Sequence, residues 1–125
     1  MEWEIVEINK TYGKNVPFVS IGRGKLEFNA AACDLIDDQN KNYSYAQLLK
    51  GKEKGKMVVA VKFLTDYENN TIPIKRKQQN GKIIKGMIVP NKDAITALFG
   101  KDGSNDGMVR FNVEKLENNK LKIIG

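Results

Sequence analysis

The sequence predicts a mainly β (α+β) fold: a pseudo-twofold β-barrel built from two strand-strand-helix-strand-strand repeats and sealed by two short helices. Three observations predict it. First, residues 24–36 align with residues 86–98, matching Gly24 with Gly86, Leu26 with Ile88, Asn29 with Asn91, Ala32 with Ala94 and Ile36 with Leu98. Second, short runs with two-residue apolar alternation flank each copy, as half-buried strands require. Third, each copy is followed by the same turn chemistry, Glu68-Asn69-Asn70 and then Glu117-Asn118-Asn119. A repeat of roughly 45 residues is too small to hold a core alone, so the two must share one. The repeats span approximately 17–76 and 82–125 within a single domain, 1–125.

The elements follow in order. Trp3 to Ile8 alternates loosely and reads as a strand, with a polar turn at Thr11 to Asn15. Pro17 to Ile21 is a second strand, turned by Gly22-Arg23-Gly24 into Lys25 to Phe28. Asn29 is suited to cap a helix, because its side-chain oxygen can accept from the first free amides. Ala30 to Ile36 is that helix, with Ala32, Cys33 and Ile36 facing inward. Cys33 reads as a small buried hydrophobe. Tyr43 to Leu49 is expected as a short helix or a docking loop, and Lys50 to Lys56 as a mobile lysine loop. Met57 to Leu64 is the strongest strand, apolar enough to be buried on both faces. Asp66 to Asn70 is expected to turn it back onto Thr71 to Ile74, where Pro73 marks an edge.

Gln78-Gln79-Asn80-Gly81 is a turn between Lys75-Arg76-Lys77 and Lys82 to Lys85. Met87-Ile88-Val89 is strand material separated from that stretch by Gly86. Asn91 caps the second helix, Asp93 favours its positive end, and Gly100 stops it. Lys101 to Gly107 is loop. Val109, Phe111 and Val113 alternate, Asn118-Asn119 turns, and Leu121, Ile123 and Ile124 close the sheet.

Composition narrows the chemistry. The 125 residues contain no histidine and one cysteine. That removes histidine-based triads, histidine metal sites and a structural zinc site. Glu2, Glu4 and Glu7, and the pair Asp37-Asp38, have no evident electrophile or metal partner and read as solvated carboxylates. The chain is therefore expected to be non-enzymatic, with no catalytic residue, cofactor or metal. No apolar run is long enough to span a bilayer, and Met1-Glu2-Trp3-Glu4 lacks a signal-peptide pattern, so a cytoplasmic location is expected.

The net charge is +6. It is concentrated: no acidic residue occurs between Asn69 and Lys92, where Lys75, Arg76, Lys77, Lys82, Lys85 and Lys92 fall. Such a block is an electrostatic footprint for a polyanion. The abundance of lysine and asparagine also has a compositional explanation in an AT-rich coding genome.

Val19-Ser20-Ile21-Gly22-Arg23-Gly24-Lys25-Leu26-Glu27-Phe28-Asn29, followed by a helix and a hairpin, resembles the swapped-hairpin AbrB/MazE/SpoVT family. Ile88-Val89-Pro90 in the second copy is similar to that family's strand-to-proline ending. The resemblance covers most of residues 17–36 and 82–124. It implies half-barrels that interlock, here fused in one chain, and DNA docking through basic residues of one barrel face. Carried over, these are Arg23 and Lys25 in the first copy and Lys82 and Lys85 in the second.

The expected function is thus a non-enzymatic nucleic-acid-binding protein, a duplex-DNA-binding transcriptional regulator using Arg23, Lys25, Lys75, Arg76, Lys77, Lys82 and Lys85. Two alternatives stand beside it. One is a single-stranded DNA-binding module stacking bases on Trp3, Tyr43, Tyr45 or Tyr67. The other is an interaction or assembly protein of a phage or mobile element, a homo-oligomer without nucleic-acid affinity.

Overall fold

The computed structural model describes residues 2–5, 16–36, 42–104 and 107–124. Nine strands form one sheet: β1 (Phe18–Gly22), β2 (Lys25–Phe28), β3 (Tyr45–Glu53), β4 (Lys56–Leu64), β5 (Ile72–Pro73), β6 (Lys75–Gln79), β7 (Lys82–Pro90), β8 (Val109–Glu117) and β9 (Lys120–Ile124). The helical segments are α1 (Ala30–Leu35), α2 (Lys92–Phe99) and the single turn α3 (Lys101–Ser104). All strand pairs are antiparallel, in the order β5-β3-β4-β9-β8-β1-β2-β7-β6. The two ends of that order are neighbours in sequence. Only Ile74 separates β5 from β6, and its amide donates to the Ser44 carbonyl at 2.8 Å. The sheet therefore curls into a nearly closed barrel.

The registers set the barrel's two ends. The turns Arg23-Gly24 and Lys54-Gly55 share one end, and Asn80-Gly81 and Asn118-Asn119 share the other. Three of these turns carry positive φ at both central residues: 52° and 72°, 50° and 79°, 53° and 79°. That is the type I′ geometry whose twist matches the flanking strands. β2 runs into α1 at the second end, and β7 runs into α2 at the first. Each helix starts at an asparagine: Asn29 Oδ1 accepts from the Ala32 amide at 3.0 Å, and Asn91 Oδ1 from the Ala94 amide at 3.0 Å. Asn29 does more than cap. It also accepts from the Phe18 amide at 3.0 Å and donates to the Val16 carbonyl at 2.7 Å, locking α1 to the start of β1.

Alternate residues of the strands fill the interior. Ile21, Leu26, Phe28, Val61, Phe63, Val89 and Leu121 are all fully buried, and Ala32, Cys33, Ile36 and Ile95 plug the ends from the helices. Phe28 on β2 meets Phe63 on β4 edge to face, with ring centroids 5.4 Å apart. β2 and β4 are not sheet neighbours, so this contact crosses the interior. Among the described residues no polar or charged side chain is buried.

Several expectations are corrected. Tyr43 to Leu49 is not a helix or loop: from Tyr45 onward it is β3. The lysine stretch after it is not a loop either, because residues 45–53 pair with 56–64 in a long hairpin turned by Lys54-Gly55. β4 therefore pairs with β3 and β9, and Ile72-Pro73 pairs with β3 rather than with β4. The Glu68 to Asn70 turn is accordingly not the counterpart of Asn118-Asn119. For Ile72-Pro73 local sequence favoured the nearer β4, whereas barrel closure supplied the more distant β3, because β4 already pairs with β3 across the two-residue Lys54-Gly55 turn. β7 runs unbroken through Gly86, which is buried at φ 148° beneath the Lys77 side chain. The N-terminal strand is not seen in its described part: Glu2 to Ile5 has no regular structure, with Trp3 88% and Ile5 94% exposed. Glu7, Thr11 to Asn15 and Asp37-Asp38 lie outside the described residues.

Candidate nucleic-acid interface

The acid-free segment forms the β6–β7 hairpin. Its base belongs to the barrel: Lys75 pairs with Ile88 and Arg76 with Met87, and Met87 is fully buried. Beyond a register shift between Arg76 and Gln78, the ribbon leaves the barrel. Every residue from Gln78 to Lys85 is exposed. Four residues of strand rise carry the Asn80-Gly81 tip roughly 13 Å past Met87. The arm bears Lys77, Lys82 and Lys85, the amides Gln78, Gln79 and Asn80, and two exposed isoleucines, Ile83 and Ile84.

The seven residues singled out from sequence fall into separate groups. Arg23 is exposed in its turn at the end opposite the arm. That turn is anchored on α2 and α3: the Gly24 amide donates to the Gly103 carbonyl at 2.7 Å, and the Asn91 amide donates to the Gly24 carbonyl at 3.1 Å. Lys25 points to the barrel's outer face and pairs with Glu27 at 3.2 Å. Lys75 lies on the same outer face, across β7, opposite Ile88. Arg76 turns to the sheet edge and donates from Nη2 to the Tyr43 carbonyl. Its role in the fold is to tie β6 to the segment entering β3. Lys77 lays its aliphatic stem over Gly86. Lys82 stands at the arm's tip. Lys85 pairs with Asp34 of α1 at the barrel mouth, a part-exposed ion pair worth about 0–1 kcal/mol.

Lys75, Lys77, Lys82 and Lys85 thus belong together on or beside one arm, while Arg23 and Lys25 stand apart from it. Among the described residues Lys75, Lys77 and Lys82 have no carboxylate in ion-pair contact. These cations also act on the fold, since lysines on an outermost strand discourage edge-to-edge pairing.

A second cationic tip stands where the sequence predicts a mobile lysine loop. Lys50, Lys52, Lys54 and Lys56 ride on the β3–β4 hairpin, beside a shallow groove of about 380 Å³ lined by Met57, Ile124, Glu53 and Lys122. The carboxylate of this tip, Glu53, is taken up by Lys122 of β9. The hydrogen bond to Glu53 raises the Lys122 pKa, against an opposing desolvation and with further support from the charges of Glu53 and Glu114.

The aromatics divide as well. Tyr43 is buried against Phe63, with centroids 6.1 Å apart, and is no stacking platform. Tyr45 and Tyr67 meet edge to face at 5.8 Å, and Tyr67 is 68% exposed. Among the described residues no cluster of three or more acidic, cysteine or histidine side chains is placed to hold a metal. No helix there is long and apolar enough to cross a membrane.

The sequence reading missed Gln78 and Ile83, which face each other across the ribbon. The signal was available: two adjacent isoleucines just after an Asn-Gly turn must point to opposite faces, and no second apolar run was left to cover both. No family model matches the chain, and neither a curated protein nor a solved structure does.

Proposed function

We propose that this chain is a non-enzymatic, cytoplasmic nucleic-acid-binding protein, a regulator that docks on duplex DNA through the β6–β7 arm. The observation that carries the reading is the arm itself: a projecting ribbon with no carboxylate of its own, where Lys77 and Lys82, with Lys75 at its base, have no carboxylate partner among the described residues. Lysines on a stiff ribbon neutralise phosphates and release counterions, which makes binding steeply salt-dependent.

We further propose that the barrel is a fused duplication of the swapped-hairpin kind. The registers support it. Exchanging the two halves turns Tyr45↔Pro73 into Phe111↔Val19, and Gly22↔Lys25 into Arg76↔Met87. It turns Lys25↔Pro90 into Met87↔Phe28, and Leu49↔Ala60 into Lys115↔Leu121. In this scheme β5 and β6 together stand for β1, so the second half starts near Ile72 rather than at 82. The β1–β2 hairpin sits between β8 and β7, both from the other half, as interlocked halves require. The halves differ most at one place. Two residues separate Gly22 from Lys25, whereas ten separate Arg76 from Met87. The arm is what the second half adds.

Fluorescence anisotropy with a labelled duplex across a salt series tests the function. Three to four phosphate contacts predict a slope of log affinity on log salt of about −3 to −4. Lys75→Ala with Lys77→Ala should flatten it by about 2. Absence of binding to any DNA at low salt refutes the reading and, with a defined oligomer by light scattering, favours an assembly protein. Tighter binding to oligo-dT than to duplex favours the single-strand alternative, with exposed Tyr67 as its stacking surface.

A further inference from the structure

Resting on that reading, we infer that the arm enters the major groove tip first and that the cross-strand pair Gln78–Ile83 recognises an A·T base pair. The groove follows from dimensions. A two-stranded ribbon fits a major groove about 12 Å wide, whereas a minor groove about 6 Å wide does not admit it without deformation. A depth of about 8.5 Å at 3.4 Å per residue takes in between two and three residue levels. Those levels are the Asn80-Gly81 turn, the Gln79–Lys82 pair and the Gln78–Ile83 pair. Lys75 and Lys77 lie further back, at the height of the phosphates.

The base preference follows from chemistry. Directly opposed residues of an antiparallel pair project to the same face, with Cβ atoms about 5 Å apart. Gln78 and Ile83 therefore present an amide beside a branched alkyl group, both exposed, Ile83 by 70%. In the major groove an A·T pair offers the adenine N7 acceptor and N6 donor beside the thymine methyl. A glutamine amide complements the first two in bidentate fashion, and isoleucine packs on the third. A G·C pair offers two acceptors and one donor with no methyl, which leaves the isoleucine against polar edges. The same match explains why an apolar side chain stands uncovered on a cationic arm.

The test is competition anisotropy at fixed salt with four duplexes of one length: A·T-rich, the same with uracil for thymine, the same with 7-deazaadenine for adenine, and G·C-rich. The wild-type chain should prefer the A·T duplex over G·C by about five- to hundredfold. Uracil should cost the wild type about fivefold but cost Ile83→Ala nothing. Deazaadenine should weaken the wild type but not Gln78→Ala. Both positions are exposed, so the variants should fold, as unchanged thermal melts would show, and should keep the wild-type salt slope. Binding that stays salt-dependent while the A·T preference or the uracil loss is unaltered by both variants overturns this inference and leaves DNA docking intact. Absence of duplex binding removes both.

Discussion

Replacing Phe63 with alanine probes whether the barrel is one cooperative unit. Phe63 is fully buried on β4, and its ring meets Phe28 from β2 and Tyr43 from the segment entering β3. These contacts cross the interior between β2 and β4, which the sheet order separates by β9 and β8 of the other repeat and by β1, so the loss is felt across the barrel. Truncating a buried phenylalanine costs about 3–5 kcal/mol, in which the aromatic pairing beyond simple burial accounts for about 0.5–1.5 kcal/mol. A domain of this size holds about 5–15 kcal/mol in total, so a large share is lost. For this chain length each kcal/mol moves Tm by about 3–5 °C, which predicts a fall of about 10–20 °C. With a urea slope of about 2 kcal/mol per molar, the unfolding midpoint should drop by about 1.5–2.5 M. Calorimetry and urea melts followed by far-ultraviolet dichroism are the assays. Phe63→Leu, which refills much of the volume, should recover more than half of the loss. A loss below about 1 kcal/mol, or two separated transitions of which only one shifts, would sink the shared-core reasoning.

Three other outcomes are expected. Gly86→Ala should destabilise by about 1–3 kcal/mol in a urea melt, because φ 148° is strained for any L side chain and the new Cβ would sit 3.2 Å from the Phe28 carbonyl oxygen and 2.7 Å from Lys77 Cδ. Lys54→Asn should raise Tm by about 2–5 °C, since asparagine tolerates φ 50° at the first turn position far better than lysine does, and Gly55 already completes the Asn-Gly pattern. The Lys122 pKa lies above its ordinary value through its bond to Glu53, so the pair's stabilisation is complete below the ordinary lysine range and fades as pH rises through the raised pKa. Alkaline melts of the wild type and Glu53→Gln should converge there; a constant gap across that range would contradict the assignment.

Much of the local structure was legible because short-range rules governed it. Asn29 and Asn91 cap helices where the sequence said they would, since a cap depends only on the next few amides. Leu26 and Phe28 are inward as strand alternation requires, whereas β4, expected to be buried on both faces, buries only the face of Val59, Val61 and Phe63 and leaves Val58, Ala60 and Leu64 part-exposed on the other. Strand pairing was less legible. Tyr45 to Glu53 has weak alternation and four charged or glycine positions toward its tip, so nothing local marks it as a strand. Its assignment comes from β4 on one side and, at its first two residues, β5 on the other. The candidate site was half legible. The acid-free lysine block was plain, but grouping it with Arg23 was not justified by geometry: the two turns lie at opposite barrel ends, separated by the full length of β7. Arg76 was indistinguishable from its neighbours in sequence until its guanidinium was seen on the Tyr43 carbonyl.

By itself the sequence determined a mainly β chain with two asparagine-capped helices, one shared core and a cationic segment between them, because periodicity, caps and charge are properties of neighbouring residues. The tertiary structure alone decided which strands pair, that the sheet curls back on itself through Ile74, and that the cationic segment projects as an arm. The physical reason is that these depend on partners far apart in the chain. Met87 is buried because β2 and β6 flank it, and Ile83 is exposed because the barrel has ended beneath it.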